Sequence, residues 1–184
     1  MTNLYIQASM YRSGSTLMYN VVRLILEKAY GKENVYSCFK EQYKPTDPRP
    51  YHLVKIHRRN EKLLERSTKV FSTIREKEEV KKSMKRRAEI NKDERFTSET
   101  NLEKFDKFWD DFLWWKGQSK TITFNYWQLV SALPVVVAIT ADQMGLLEKL
   151  EDEIINIANE VKSLKPPTEG YDKETLLHAN HITK

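Results

Sequence analysis

The segment from Tyr5 to Arg23, YIQASMYRSGSTLMYNVVR, constrains the fold more than any other stretch of the chain. Its short apolar start (Tyr5, Ile6, Ala8) gives way to Arg12-Ser13-Gly14-Ser15-Thr16, and helical periodicity then begins at Leu17, Val21, Leu24 and Ile25. The order is strand, loop, helix. A glycine and hydroxyls at a helix start leave backbone N–H groups and the positive end of the helix dipole facing outward, which suits a phosphate. Ser15 or Thr16 acting as a plain N-cap fits the same five residues equally well, so the remaining chain has to decide.

That remainder alternates between strand and helix patterns. The first helix fades near Ala29-Tyr30-Gly31, and Val35 to Phe39 reads as a second strand. Lys40 to Pro50, with Pro45, Pro48 and Pro50 and no apolar period, reads as loop. Tyr51 to His57 (YHLVKIH) and Lys69 to Ile74 (KVFSTI) are strands, the second followed by a helix from Glu76 to Ile90 with Val80, Met84 and Ala88 inward. Asn91 to Thr100 is polar loop. Leu102 to Trp115 is helical, its Phe105, Phe108, Trp109, Phe112 and Trp115 spaced as a core-packing stripe. Lys120 to Tyr126 is a further strand. Helices from Pro134 to Met144 and from Leu146 to Leu164 follow, before Pro166-Pro167 and a tail with little pattern. The expectation is one domain over residues 1–184, an α/β three-layer fold with a mainly parallel central sheet.

Composition narrows the function classes. With 31 Lys and Arg against 26 Asp and Glu, the formal charge of +5 suits an anionic ligand but is too small to argue for nucleic acid. The single cysteine, Cys38, has no disulfide partner in the chain and reads as a buried, inert thiol. No signal peptide and no membrane-length apolar run are visible, so a cytoplasmic location is expected. His178 and His181 lie three apart without companion ligands, so no metal is expected.

In a parallel sheet ligands sit at the carboxyl ends of the strands, which here carry Arg12 to Thr16, His57 and Arg75. The first loop lacks the lysine of G-x-x-x-x-G-K-[ST], which weighs against a kinase or ATPase. His57 follows Lys55 by two residues, so both side chains lie on one side of the sheet; a histidine there can be a general base. Arg75 ends its strand with Ser83 two helical turns on, a pair able to bind phosphate by a guanidinium fork and a hydroxyl. Taken singly, His57, Arg75 and Ser83 fit ordinary surface or packing roles as well.

Taken together, Arg12-Ser13-Gly14-Ser15-Thr16, Lys55-Ile56-His57 and the Arg75/Ser83 pair resemble the sulfotransferases that use 3′-phosphoadenosine 5′-phosphosulfate (PAPS). Tyr126, ahead of a helix ending in Met144-Gly145-Leu146, is a fourth, weaker match. The resemblance covers most of residues 4 to 146. It implies that Arg12, Ser13, Gly14, Ser15 and Thr16 form a P-loop-like nucleotide-binding loop for the 5′-phosphosulfate. It also implies that Arg75 and Ser83 hold the 3′-phosphate, that Tyr126 lies near the adenine, and that His57 is the catalytic base with Lys55 and Arg12 steadying the sulfuryl group. Adenosine 3′,5′-bisphosphate would be the product and a hydroxyl or amine of a small molecule or carbohydrate the acceptor.

The chain departs from the family pattern in three ways. Leu17 stands where an aromatic residue often stacks on adenine, the later R-K-G segment is absent, and the chain is short. His178-Ala179-Asn180-His181 is a candidate replacement for the missing segment, and a reduced acceptor site or one completed by a second subunit, hence a homo-oligomer, is expected. Lys40 to Pro50, Asn91 to Thr100, the tail and Trp109, Trp114 or Trp115 are candidate acceptor walls. Two rivals stay open at this stage: a nucleotide kinase with a degenerate P-loop, and a non-catalytic nucleotide-binding protein.

Overall fold

The computed structural model describes residues 2–91 and 100–179, with the backbone alone at 87–91 and 100–104. Five parallel strands form one sheet in the order β2-β3-β1-β4-β5: β1 (Asn3–Ala8), β2 (Val35–Phe39), β3 (Tyr51–Ile56), β4 (Lys69–Ile74) and β5 (Thr121–Asn125). The apolar runs at Leu4–Ile6, Leu53–Val54 and Val70–Phe71 are buried on both faces, which is why they read as near-continuous hydrophobic stretches.

Period-2 alternation sorts these residues into two layers. Tyr5, Leu53, Phe71 and Phe124 face helix α1 (Ser15–Tyr30), which packs with α6 (Leu133–Gln143) and α8 (Ile154–Ser163) in the larger core. Leu4, Ile6, Val54 and Val70 face the opposite side, with Leu63 of α2 (Glu61–Arg66) and Trp115 of α4 (Thr100–Lys116). A smaller cluster joins Met10, Val80 of α3 (Lys77–Asn91), Phe105 and Phe112. Helix, sheet and helix thus give the three layers. Each fully buried Val, Leu or Ile contributes roughly 1.5–3 kcal/mol of transfer free energy, and α1 alone buries Met18, Val21, Val22, Ile25 and Leu26.

Local chemistry accounts for the differences from the sequence reading. Asn60 accepts a hydrogen bond from the Leu63 amide at 3.0 Å and starts α2, six residues too short to show a period. Asn125 and Gln128 form a capping box, so β5 stops at Asn125 and Tyr126 opens α5 (Tyr126–Ser131) instead of closing the strand. The helix expected from Leu146 to Leu164 is broken into α7 (Leu147–Leu150), a 3-10 turn at Glu151–Glu153, and α8. Most of the expected Asn91 to Thr100 loop lies outside the described residues, as do Asn180 and His181. Cys38 is buried and its thiol is pushed up to about 11 by that burial, which keeps it protonated. Among the described residues no helix is long and apolar enough to cross a membrane.

The strand order fixes where a ligand can sit. The connection leaving β1 runs toward β2 while that leaving β4 runs toward β5, so a crevice opens between their carboxyl ends.

Candidate active site

A cavity of about 600 Å³ occupies that crevice, and Arg12, Gly14, Ser15, Thr16, Lys55, His57, Arg75, Ser83 and Tyr126 all line it. Ser13 is the exception among the expected site residues. It is 1% exposed, and its hydroxyl donates to the Met10 carbonyl at 2.7 Å and lies 3.0 Å from the Thr73 hydroxyl, so its side chain holds the loop to β4.

The loop itself is bent by two left-handed residues. Arg12 has φ 62° and Gly14 has φ 92°. For arginine that conformation costs on the order of 1–2 kcal/mol, whereas glycine adopts it freely. Space is tight there too, since a Cβ would sit 3.0 Å from Cδ2 of Tyr126 and that ring would have to shift. Gly14 is the N-cap residue of α1 and no side chain caps the helix. The reading of Ser15 or Thr16 as a plain N-cap is therefore excluded, and the first-turn amides and dipole stay open toward the cavity.

Two cationic residues approach from the strands. Lys55 sits on the α1 side of β3, 3% exposed, and donates to the Thr16 hydroxyl at 2.6 Å. Arg75 follows β4; its guanidinium carbon lies 4.3 Å from the Tyr126 ring centroid, Nε pairs with Glu79 at 3.1 Å, and it reaches the Arg12 carbonyl at 3.5 Å. Arg12 in turn donates from Nε to the Ser83 hydroxyl at 3.1 Å. Arg12, Arg75, Ser83 and Tyr126 thus form one connected side of the cavity.

His57 stands on the other side. The β1–β3 register pairs Ala8 with Ile56, which puts the next residues, Ser9 and His57, side by side. Nδ1 of His57 lies 2.7 Å from the Ser9 carbonyl oxygen. A carbonyl only accepts, so Nδ1 carries the proton and Nε2 carries the lone pair. Burial first and the Lys55 charge second push its pKa down to about 3, against a smaller opposing effect of the Ser9 hydrogen bond. The ring is therefore neutral near pH 7.

Several lining residues are not in the sequence reading. Tyr11 stacks on His57, and Phe39, Arg58, Leu176 and Leu177 line the same space. The tail folds back as a strap: Glu174 pairs with Arg23 at 2.9 Å, Asn20 donates to the Thr175 carbonyl at 2.8 Å, and Gln42 donates to the Tyr171 hydroxyl at 2.6 Å. Its Tyr171 and His178 line the cavity, as does Glu41 from the segment after β2. These bonds run to α1 and to the segment after β2. Trp115 is fully buried and donates to the Arg58 carbonyl, Trp109 packs on Phe105 and Phe112, and Trp114 lies under Arg59. The aromatic helix is core, and none of its three tryptophans lines this cavity.

No family model matches this chain and no curated protein matches its sequence. Solved structures do match. Mouse sulfotransferase SULT7A1 complexed with PAP superposes with a TM-score of 0.67 over 99% of this chain and 76% of that one, at 12% identity. The fold is that of the sulfotransferases. Two structures of retinol dehydratase, one with androsterone and the inactive cofactor PAP and one with retinol and PAP, superpose with TM-scores of 0.51 and 0.53 at 15% and 13% identity. They match 83% of this chain, which spans 64% of their length. The matched region contains the five-stranded parallel sheet, with the cavity at its carboxyl ends.

Proposed function

We propose that this protein is a PAPS-dependent sulfotransferase that moves a sulfuryl group to a hydroxyl or amine of a small molecule or carbohydrate. One observation carries the reading: an uncapped helix start, two arginines with a serine, a buried lysine and a neutral histidine of fixed tautomer all converge on one cavity.

The residues fit the donor part by part. The α1 amides, with Lys55 and Arg12, present positive charge to a 5′-phosphosulfate. Arg75 and Ser83 offer a guanidinium fork and a hydroxyl to a 3′-phosphate, and the Tyr126 ring, already under Arg75, offers a flat surface beside them. When bound, PAPS supplies the activated sulfuryl group and keeps the electron pair of the broken S–O bond as adenosine 3′,5′-bisphosphate. Nε2 of His57 takes the proton of the attacking hydroxyl or amine, and Lys55 and Arg12 offset charge on the departing phosphate. As in phosphoryl transfer, positioning and electrostatics do the work. The acceptor occupies the side walled by Tyr11, Phe39, Tyr171 and His178.

Thermal shift with adenosine 3′,5′-bisphosphate and with ATP tests the donor class. A larger stabilisation by the bisphosphate is expected; preference for ATP would indicate a kinase. Binding without transfer to any member of a broad acceptor panel would leave a non-catalytic nucleotide-binding protein.

A further inference from the structure

The His57 ring is held by more than its backbone partner. Tyr11 stacks on it with centroids 3.9 Å apart and planes 28° from parallel. Phe108 of α4 meets the Tyr11 ring edge-on at 4.9 Å and 88°. Arg58, the residue after His57, lies 4.5 Å over the Phe108 ring and pairs with Asp111 of α4 at 2.8 Å. Its carbonyl accepts from Trp115 at 3.0 Å. The outer surface of the histidine is thus tied to a helix of the opposite layer through a continuous file of rings.

We infer that Tyr11, braced by Phe108, is a positioning residue for His57, setting the plane of the imidazole so that Nδ1–H stays on the Ser9 carbonyl and Nε2 is the nitrogen that accepts the proton. The inference rests on the reading of His57 as the base. A single hydrogen bond leaves an imidazole free to tilt about its Cβ–Cγ bond, and a parallel ring on one face removes that freedom because tilting breaks the stack. Geometry of this kind governs rate steeply: a misplacement of about 1 Å can cost about a hundredfold. The hydroxyl of Tyr11 has no part in the argument, so phenylalanine serves equally well.

Tautomer detection separates positioning from mere structure. Long-range proton–nitrogen NMR spectra of the imidazoles are expected to show His57 as a single Nδ1–H tautomer in the native protein and in Tyr11→Phe. Tyr11→Leu is expected to give mixed tautomers, with affinity for adenosine 3′,5′-bisphosphate unchanged by calorimetry. With an acceptor identified, kcat falls by about ten- to a hundredfold in Phe108→Leu, at a residue outside the cavity lining. Should Tyr11→Leu fail to fold, Phe108→Leu, outside the cavity lining, carries the test with the same expected mixture. A single Nδ1–H tautomer in the leucine variants overturns the positioning role whatever the activity. Full transfer by His57→Gln would overturn the base assignment instead, and the spectra would still report on the stack.

Discussion

The two sides of the cavity are built on different principles. The side formed by Arg12, Arg75, Ser83 and Tyr126 is cross-linked by hydrogen bonds and a cation–π contact among the end of β4, α3, α5 and the first loop. The side formed by Tyr11, His57, Phe39, Tyr171 and His178 is a set of rings, brought together from the loop after β1, the end of β2, the end of β3 and the strap. Charge with direction suits an invariant anionic donor, whose phosphates must be held in one geometry. Flat apolar surfaces suit a variable acceptor, because stacking tolerates changes of outline that a hydrogen-bond network rejects.

The largest test of that division is Gly14→Ala. A Cβ at φ 92° strains the loop and presses on the Tyr126 ring 3.0 Å away, and affinity for adenosine 3′,5′-bisphosphate is expected to fall by about a hundredfold by calorimetry. Unchanged affinity would mean that the loop does not cradle the donor. Arg75→Ala comes next. Loss of a charged hydrogen-bond donor, worth about 1.5–3 kcal/mol, should weaken the bisphosphate by about thirtyfold while sparing its 3′-dephosphorylated analogue. Equal losses would remove Arg75 from the 3′-phosphate.

The ring side is probed by pH. A histidine whose folded pKa is depressed below its unfolded value near 6.5 gives stability that is complete above that value and lost as pH falls toward the folded one, here about 3. Chemical denaturation at pH 7.5 and 5.5 should therefore show the native protein losing about 1 kcal/mol more than His57→Gln over that interval. Identical losses would mean that His57 is not held neutral. Glu174→Gln should act least. Arg23 keeps Glu27 at 2.7 Å, and Glu174 is half exposed, so the expected loss is below about 1 kcal/mol with donor affinity intact. A fall in donor affinity would show the strap to serve both sides.

The same division decides what could be read from the chain. The convergence of Arg12, Arg75 and Ser83 on one side of the cavity is legible because its parts are local: five consecutive residues make the loop, and Arg75 and Ser83 sit at one strand end and two turns into the next helix. His57 and Lys55 were legible for the same reason, through period-2 alternation. The stack of Tyr11 on His57 is not, because it arises from the β1–β3 register, which pairs residues 48 apart and sets Ser9 beside His57. Tyr171 and His178 lay in a tail without periodicity, placed by Glu174, Thr175 and Leu176. Tyr126 lines the cavity from the start of α5 and not from the end of β5; Asn125 with Gln128 is the signal in the chain that marks that boundary.

The strap also bears on how the lining of the cavity could change over generations. Its eight residues from Tyr171 to His178 supply two rings to the cavity lining and hang by a few polar links from α1, the helix whose first turn opens on the same cavity. On the proposed reading, substitutions at Tyr171 or His178 would remodel the ring-lined side of the cavity, whereas changes at the Asn20 and Arg23 links would reach the helix that carries the first loop.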